Sequence, residues 1–379
     1  MTDSAIVVGG GIVGSSVAYH LARAGLDVRL LDREDEGRAT TAGAGIISPA
    51  TSSRTESPAW FEFGLEAADY YPELADALDE HAHSYTRTGL LSVAADPDEI
   101  DDFERAKSRV ERRIEEYGRP AEDSVRELSP AESREKYPPL ADVERALFFE
   151  DAARVDGQAF ANALREAGRD AGLTVENADV TAIDVVGDAV AGVSTASGAV
   201  YDADAVVVAG GAWSPAFEAD LGVEVPVEPQ RGQILHLDVD DLDYDRPAGE
   251  WPIVSAFRHQ YQVPWPDGRV ACGATRESGT GFEPRVTLDG LRSVSSEALR
   301  VAPGLADAKH LETRVGLRPV SADGLPFLGG VPDVDGAYLA TGHGPTGLTL
   351  GPYSGKVVAD LVRGVDPDVD LAPFRVGRL

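Results

Sequence analysis

The residues best suited to chemistry lie near the two ends of the chain. Gly9, Gly11 and Gly14 stand in a G-x-G-x-x-G spacing within AIVVGGGIVGSSVAYHLARAGLDVRLLDRE (5–34), and Asp32 lies near the end of that stretch. The spacing suits a pyrophosphate. The first glycine turns the chain, the second lets backbone N–H groups approach the phosphates, and the third lets a helix pack on the sheet with its N-terminus toward the anion. Asp32 is placed to hydrogen-bond the hydroxyls of an adenosine ribose, and a carboxylate there disfavours a 2′-phosphate. Near the other end, Arg318 sits in TRVGLRPVSADGLPFLGG (313–330), and Asp323 is the first acid after it. A guanidinium in mostly apolar surroundings is costly unless something negative faces it. Arg318 therefore demands an anion that its sequence neighbours do not provide.

Further groups point to a larger cofactor than a nicotinamide dinucleotide. RATTAGAGIISP (38–49) is a small-residue loop with adjacent hydroxyls at Thr40 and Thr41. Backbone donors and hydroxyls without bulk suit a second contact with a diphosphate or a flavin. The apolar run Ala205–Ala209 ends in Gly210, Gly211, Ala212 and Trp213, where small residues let a cofactor lie against the strand end. GAYLATGHGPTGLTLGPYSGKVVADLVRG (336–364) reads as a strand, a glycine-rich loop and a helix to about Val362. The start of that helix supplies unpaired N–H groups and a positive dipole end.

These groups need elements to hold them. Ala5–Val8 and Val28–Leu31 read as strands flanking a helix from about Ile12 to Ala24, which Gly25 stops. Ala205–Ala209 has the continuous apolar character of a buried parallel strand. Residues 60–82 and 98–118 read as helices, the second a solvated one with Phe103, Val110 and Ile114 as its sparse apolar positions. Thr88–Val93 reads as a strand, and Gln158–Ala171 as a helix leading into Thr174–Val175. Val180–Val186 and Val190–Thr195 resemble a hairpin pair. From 228 to 273 the alternating stretches GQILHLDV, HQYQVPW and RVACGATRE indicate an antiparallel, β-rich lobe. The fold class is thus α/β, with a Rossmann-like nucleotide-binding unit and a second lobe of different character.

Composition excludes some functions. The 379 residues carry 65 acids against 34 lysines and arginines, a net charge of −31. That balance argues against nucleic acid and anionic membranes as partners. Only four of the basic residues are lysines (Lys107, Lys136, Lys309 and Lys356). Low lysine with many acids indicates a protein kept soluble at high salt, as in a halophile. The single cysteine, Cys272, allows no intrachain disulfide and reads as a small core residue. No apolar run approaches the length of a membrane span, and the expected location is the cytoplasm. His81, His83, His236, His259 and His310 show no metal-ligand spacing, with His81 and His83 facing apart on a helix, so no metal is expected.

Over nearly its full length the chain resembles the flavin amine oxidoreductases of the D-amino-acid oxidase class, with glycine oxidase and small D-amino-acid dehydrogenases most similar. The segments that carry the resemblance are VVGGGIVGSSVAYHLARAG, TTAGAGI, RVDGQAF, VVVAGGAWS, PQRGQIL, YQVPWPDGRVACGATRE, VGLRPVSADGLPFLGG and ATGHGPTGLTLGPYSGKVVADL, in that order. The resemblance implies a discontinuous FAD-binding domain over 1–85, 150–222 and 311–379. It implies a substrate-binding domain on an antiparallel sheet over 86–149 and 223–310.

It also implies site residues. Ile12 and Val13 would lie at the pyrophosphate, Asp32 and Arg33 at the ribose, and Thr40, Thr41, Gly45 and Ile46 along pyrophosphate and flavin. Val180 would meet the adenine by its backbone. His343, Gly344, Pro345, Thr346, Gly347, Leu348 and Thr349 would wrap the isoalloxazine ring. Arg318 becomes the anchor of a substrate carboxylate, a task for which a planar fork is better suited than an ammonium, and Tyr261 adds a hydroxyl to it. The implied reaction is hydride transfer from Cα of a small amino acid (a D-amino acid or glycine-like) to FAD, without an obligatory side-chain base. The imine hydrolyses to a 2-oxo acid, and oxygen or an electron carrier is the acceptor.

An N-methyl amino-acid (sarcosine-like) oxidase is the alternative enzyme, and a noncatalytic flavin subunit of an electron-transfer complex the alternative from another class. A homo-oligomer is compatible with either. Two departures from the family pattern stand out. Pro345 occupies a position that is arginine in glycine oxidase, which weakens glycine as the preferred substrate. Arg276 follows GAT near the flavin, where promoting the reaction with oxygen, accepting a substrate side-chain acid and a salt bridge with Glu277 or another acid are the open roles, the salt bridge being the expected one. Covalently flavinylated relatives use a cysteine near the C-terminus, which this chain lacks, so FAD is expected to bind noncovalently.

Overall fold

The computed structural model describes residues 2–53, 57–78 and 80–379. Its first βαβ unit follows the hydrophobic pattern. Strands Ser4–Val8 and Asp27–Asp32 pair in parallel, joined by the helix Ile12–Arg23, which is buried at all but two of its residues. That burial on all sides has a simple cause. The helix lies on the sheet and is crossed by the C-terminal helix Gly347–Val362 and by the helix Gly157–Asp170.

The six-stranded sheet has the order Phe327–Gly330, Ala337–Thr341, Ala205–Val208, Ser4–Val8, Asp27–Asp32, Thr174–Asn177. All neighbours are parallel except the first pair. Ala205–Val208 therefore lies where its unbroken apolar run requires, in the middle with both faces covered. The expected hairpin forms as Val180–Val186 against Ala189–Thr195, continued by Val200–Asp202.

The second sheet has eight strands, in the order Lys309–Ser321, Val227–Asp238, Arg269–Gly273, Gln260–Pro264, Ile253–Ala256, Leu90–Ala94, Arg145–Phe149, Val125–Leu128. It is antiparallel except where Ile253–Ala256 meets Leu90–Ala94. Hydrophobic clusters cover both of its faces. Lys309–Ser321 crosses the expected domain boundary at 311 and pairs with Val227–Asp238 from end to end. Arg318 is thus carried on the sheet of the second lobe, not on the nucleotide-binding sheet.

Several expectations need correction. The expected helix over 60–82 is the helix Pro58–Ala77, capped by Ser57 and started by Pro58; residue 79 lies outside the described residues. His81 and His83 fall beyond its end rather than on it, and His81 faces Glu166 and Asp170. The helix Ile100–Tyr117 is not merely a solvated surface element. It buries Phe103, Val110 and Arg113, and Arg113 donates to the carbonyls of Ala50 and Ser52, at 2.9 Å each. Ile253–Ala256 was not anticipated, because four residues between a Trp-Pro pair and a tight turn show too little alternation. No helix among the described residues is long and apolar enough to cross a membrane.

Candidate active site

A cavity of about 890 Å³ opens between the two sheets. Asp32, Arg33 and Val180 line one region of it, and Tyr261 and Arg318 another.

At the glycine-rich turn, Gly9 has φ of +107°, and a Cβ there would strike the Ala209 carbonyl, so only glycine fits. Gly9, Gly11, Ile12 and Val13 face the cavity. Gly14 is set back and lets the helix approach the carbonyl of Gly9, as its packing role requires. No side chain caps the helix from Gly11. One of its first N–H groups is nonetheless engaged, since Ile12 donates to Thr40 Oγ1 at 2.9 Å. That bond ties the 38–49 loop to the helix start. Thr41 departs from expectation: its hydroxyl donates to Gln158 Oε1 at 2.8 Å and is turned away from the cavity wall. Gly45 and Ile46 remain on the wall.

Asp32 ends its strand, and its carboxylate accepts from Arg38 Nη1 at 3.0 Å and from the Glu34 N–H at 3.2 Å. Arg33 turns toward Asp35 and Asp179, with its guanidinium 5.9 Å from the centre of the Trp213 ring. Gly210, Gly211 and Trp213 line the cavity at the end of Ala205–Val208.

The C-terminal loop completes the wall through His343, Gly344, Pro345, Thr346, Gly347, Leu348 and Thr349. The helix Gly347–Val362 again starts without a side-chain cap. Thr346 Oγ1 bonds the His343 carbonyl at 2.9 Å, and Thr349 Oγ1 bonds the Ile46 carbonyl at 3.1 Å. Burial lowers the pKa of His343 to about 3, and its Nε2 is hydrogen-bonded to Ser354 Oγ at 3.0 Å. Burial thus favours the neutral form of His343 on the cavity wall. Two helix N-termini with free dipole ends, a carboxylate at the strand end and a cavity within the usual range of cofactor sites fit an adenine dinucleotide with an extended ring.

The third region is built on the eight-stranded sheet. Arg318 lies opposite Gln230, and its guanidinium fills the space that a side chain at Gly232 would take. Its Nη1 donates to the Thr275 carbonyl at 3.1 Å. No acid lies within 4 Å of it among the described residues. Burial lowers its pKa, partly opposed by Tyr261. Tyr261 lies opposite Gly273, and burial raises its hydroxyl to about 12 against the pull of Arg318. It stays protonated and able to donate.

The expected Arg276–Glu277 pair is absent. Glu277 instead receives Arg231 Nη2 at 2.6 Å, Gln233 Nε2 at 2.7 Å and Thr275 Oγ1 at 2.6 Å. Burial opposes ionisation of this carboxylate, but the hydrogen bonds from Thr275, Arg231 and Gln233 outweigh it and hold the pKa below its ordinary value. Arg276 is left lining the cavity.

Sequence reasoning missed Arg38, Arg109 and His259, which also line the cavity. Arg38 stands one residue before the loop's small residues and gave no local sign of its bond to Asp32. Arg109 lies on a helix so charged that no single arginine stands out, and its Nε is buried without a hydrogen-bond partner among the described residues. His259 and Arg258 have φ of 63° and 62° in the turn after Ile253–Ala256. Left-handed non-glycine residues of this kind often accompany sites. Cys272 is buried in the sheet, where desolvation raises its thiol to about 12, and it does not line the cavity.

Comparison with known proteins agrees with this geometry. The family described as FAD dependent oxidoreductase, DAO, matches residues 4–361. The uncharacterized oxidoreductase YurR of Bacillus subtilis is 39% identical over 375 residues, covering 98% of each chain. The glycine oxidase of Pseudomonas aeruginosa is 34% identical over the whole of both chains. The crystal structure of an iminodiacetate oxidase from Chelativorans sp. BNC1 superposes with a TM-score of 0.91 at 36% identity, over 98% of each chain.

Proposed function

The chain belongs to the DAO family of FAD-dependent oxidoreductases, and we propose that it oxidises the carbon–nitrogen bond of a small amino acid, with Arg318 as the anchor of the substrate carboxylate. The observation that carries this reading is Arg318 itself: a half-buried guanidinium on the cavity wall, bonded to the Thr275 carbonyl and to Tyr261 and facing no acid among the described residues. A carboxylate accepted by its fork would relieve the cost of that burial. Tyr261, protonated and hydrogen-bonded to Arg318, would donate to the same carboxylate.

The glycine turn and the C-terminal loop would hold FAD noncovalently, and it would supply the acceptor for the hydride that leaves Cα. The chain's own part is positioning, which can contribute several kcal/mol, of order 7 in well-oriented systems. The second part is electrostatic. Arg318 borders the substrate space, and positive charge there favours the neutral amine over the ammonium form. The neutral amine has the lone pair that hydride loss requires. The amine loses one hydride and one proton and becomes an imine, which water hydrolyses to a 2-oxo acid and ammonia. Oxygen or an electron carrier then takes the two electrons.

In this reading the six-stranded sheet carries the cofactor and the eight-stranded sheet roofs it. A secondary amine fits the same clamp, and the similarity to an iminodiacetate oxidase favours it as the second reading. An intact Arg318 and Tyr261 in the cavity speak against a noncatalytic subunit.

The test is anaerobic bleaching of the flavin band of the purified holoenzyme in concentrated salt. The panel holds glycine, sarcosine, proline, and D- and L-amino acids. Rapid bleaching by one or more members is expected, with air then reporting on oxygen as acceptor. A fully loaded, folded enzyme that no carboxylated amine bleaches would remove this reading.

A further inference from the structure

We propose that Arg276 receives a second carboxylate of the substrate, so that the preferred substrates are small amines bearing two carboxylates. The inference rests on the reading of Arg318 as the first carboxylate anchor and names the substrate class of that same site.

The backbone on either side of Arg276 is hydrogen-bonded to the neighbouring strand. Glu277 and Arg231 exchange both backbone hydrogen bonds at 2.9 Å, and the Thr275 N–H reaches the Gln233 carbonyl at 3.3 Å. This prolongs the pairing of Arg269–Gly273 with Val227–Asp238. Side chains alternate along such a segment. Those of Thr275 and Glu277 are both committed to Gln233, and Glu277 also holds Arg231. The side chain between them is sent to the other side, and Arg276 does line the cavity.

Its charge is not accounted for by the protein. Of the five other arginines on the cavity wall, three have acid partners among the described residues, and Arg109 and Arg318 have none. Arg33 pairs with Asp35 and Asp179, Arg38 with Asp32, and Arg258 with Asp96, Asp98 and Glu99. Arg276 has no acid within 4 Å among the described residues, in a chain with 65 acids to choose from. The nearest candidate, Glu277, is taken by Arg231.

Arg276 also stands in the field of another cation. It and Arg318 each disfavour protonation of His259, and Arg276 adds to the lowering of the Arg318 pKa. Two guanidinium groups facing one space repel each other, so an anion at each would lower the energy of both. One carboxylate alone would leave the charge of Arg276 to solvent. Arg276 is more exposed than Arg318, consistent with a place at the outer end of the substrate space. The geometry suits either an acidic amino acid or an imine-forming amine with a carboxylate on each arm; the chemistry shared by both is the second carboxylate.

The test compares flavin reduction of the holoenzyme by monocarboxylates (glycine, sarcosine, D-alanine) and dicarboxylates (iminodiacetate, and D- and L-aspartate and glutamate). The wild-type enzyme is expected to be reduced at least tenfold more efficiently by a dicarboxylate, and iminodiacetate against aspartate or glutamate tells which kind. Arg276→Met is expected to lower the efficiency with that dicarboxylate by about 10–100-fold, the range of a charge-assisted hydrogen bond. Efficiency with monocarboxylates should stay within about threefold, and Arg276→Lys should restore part of the loss.

An equal loss for both classes would assign Arg276 to the first carboxylate and overturn the proposal. So would a wild-type enzyme that reduces with monocarboxylates as readily as with dicarboxylates. No reduction by any member would overturn the amine-oxidation reading, and this inference with it. Reduction by monocarboxylates alone would overturn only the inference.

Discussion

The guanidinium of Arg318 occupies the space that a side chain at Gly232 would fill, across two paired strands of the eight-stranded sheet. A glycine on Val227–Asp238 thereby sets the position of the cation on Lys309–Ser321. Substituting Gly232→Ala is expected to push the guanidinium off its seat. The apparent substrate affinity should fall tenfold or more, with FAD content unchanged. Titration of flavin reduction against substrate, with the flavin-to-protein absorbance ratio as control, checks this. Unchanged affinity would mean that the clamp does not depend on this seat.

Removing the clamp has a larger expected effect. Arg318→Ala should lower flavin-reduction efficiency by about two orders of magnitude or more, the usual cost of truncating one partner of a buried charge pair. Arg318→Lys keeps the charge but loses the planar fork, and should fall in between. Turnover that survives Arg318→Ala intact would exclude a carboxylate clamp at this position.

In the proposed reading Asp32 bears on the cofactor rather than the substrate. Asp32→Ala removes the acceptor at the strand end and frees Arg38 from its ion pair. The FAD dissociation constant is expected to rise about 10–100-fold, the range of a hydrogen bond to a charged group. Release of flavin fluorescence on dilution measures it. Equal retention by mutant and wild type would place the ribose elsewhere.

Glu277 predicts a pH effect on stability. Its folded pKa lies below the ordinary 4.5, so its stabilisation is fully present above that pH, where the carboxylate is ionised in folded and unfolded chains alike. It is lost as pH falls from 4.5 through the lower folded value. Glu277→Gln also leaves the nearly buried Arg231 without its anion. The mutant is therefore expected to melt lower at neutral pH, by about 1–3 kcal/mol in stability. Its margin relative to wild type should shrink in acid. A constant difference between the two melting curves down to pH 3 would show that the pair is not what depresses the carboxylate.

The net charge of −31 predicts a strong response to salt. Screening shortens from about 10 Å at 0.1 M to about 3 Å at 1 M, which weakens self-repulsion in the folded state. The melting temperature of the holoenzyme should rise steadily from 0.1 M to above 1 M potassium chloride. A flat profile would count against adaptation to high salt.

By itself the sequence determined the first βαβ unit, the parallel strand Ala205–Val208, the hairpin after Val180 and the C-terminal loop and helix. In each, local pattern and tertiary demand agree: a buried parallel strand must be apolar throughout, and a phosphate-binding turn must be glycine. The proposed anion clamp at Arg318 starts from a related argument, since an arginine without a nearby acid in an apolar stretch has to answer for its charge somewhere.

Tertiary structure alone decided which of the remaining polar groups face the cavity. Thr40 and Thr41 are neighbours, yet one bonds the helix start and the other turns to Gln158. Glu277 pairs with Arg231, 46 residues away, rather than with adjacent Arg276. Side chains that alternate along an extended segment face opposite sides, so adjacency in sequence separates these two where strand pairing joins the distant ones. Arg109 and His259 reach the cavity from a charged helix and a tight turn. Their positions depend on how the two sheets close over one another, and no local pattern carries that information.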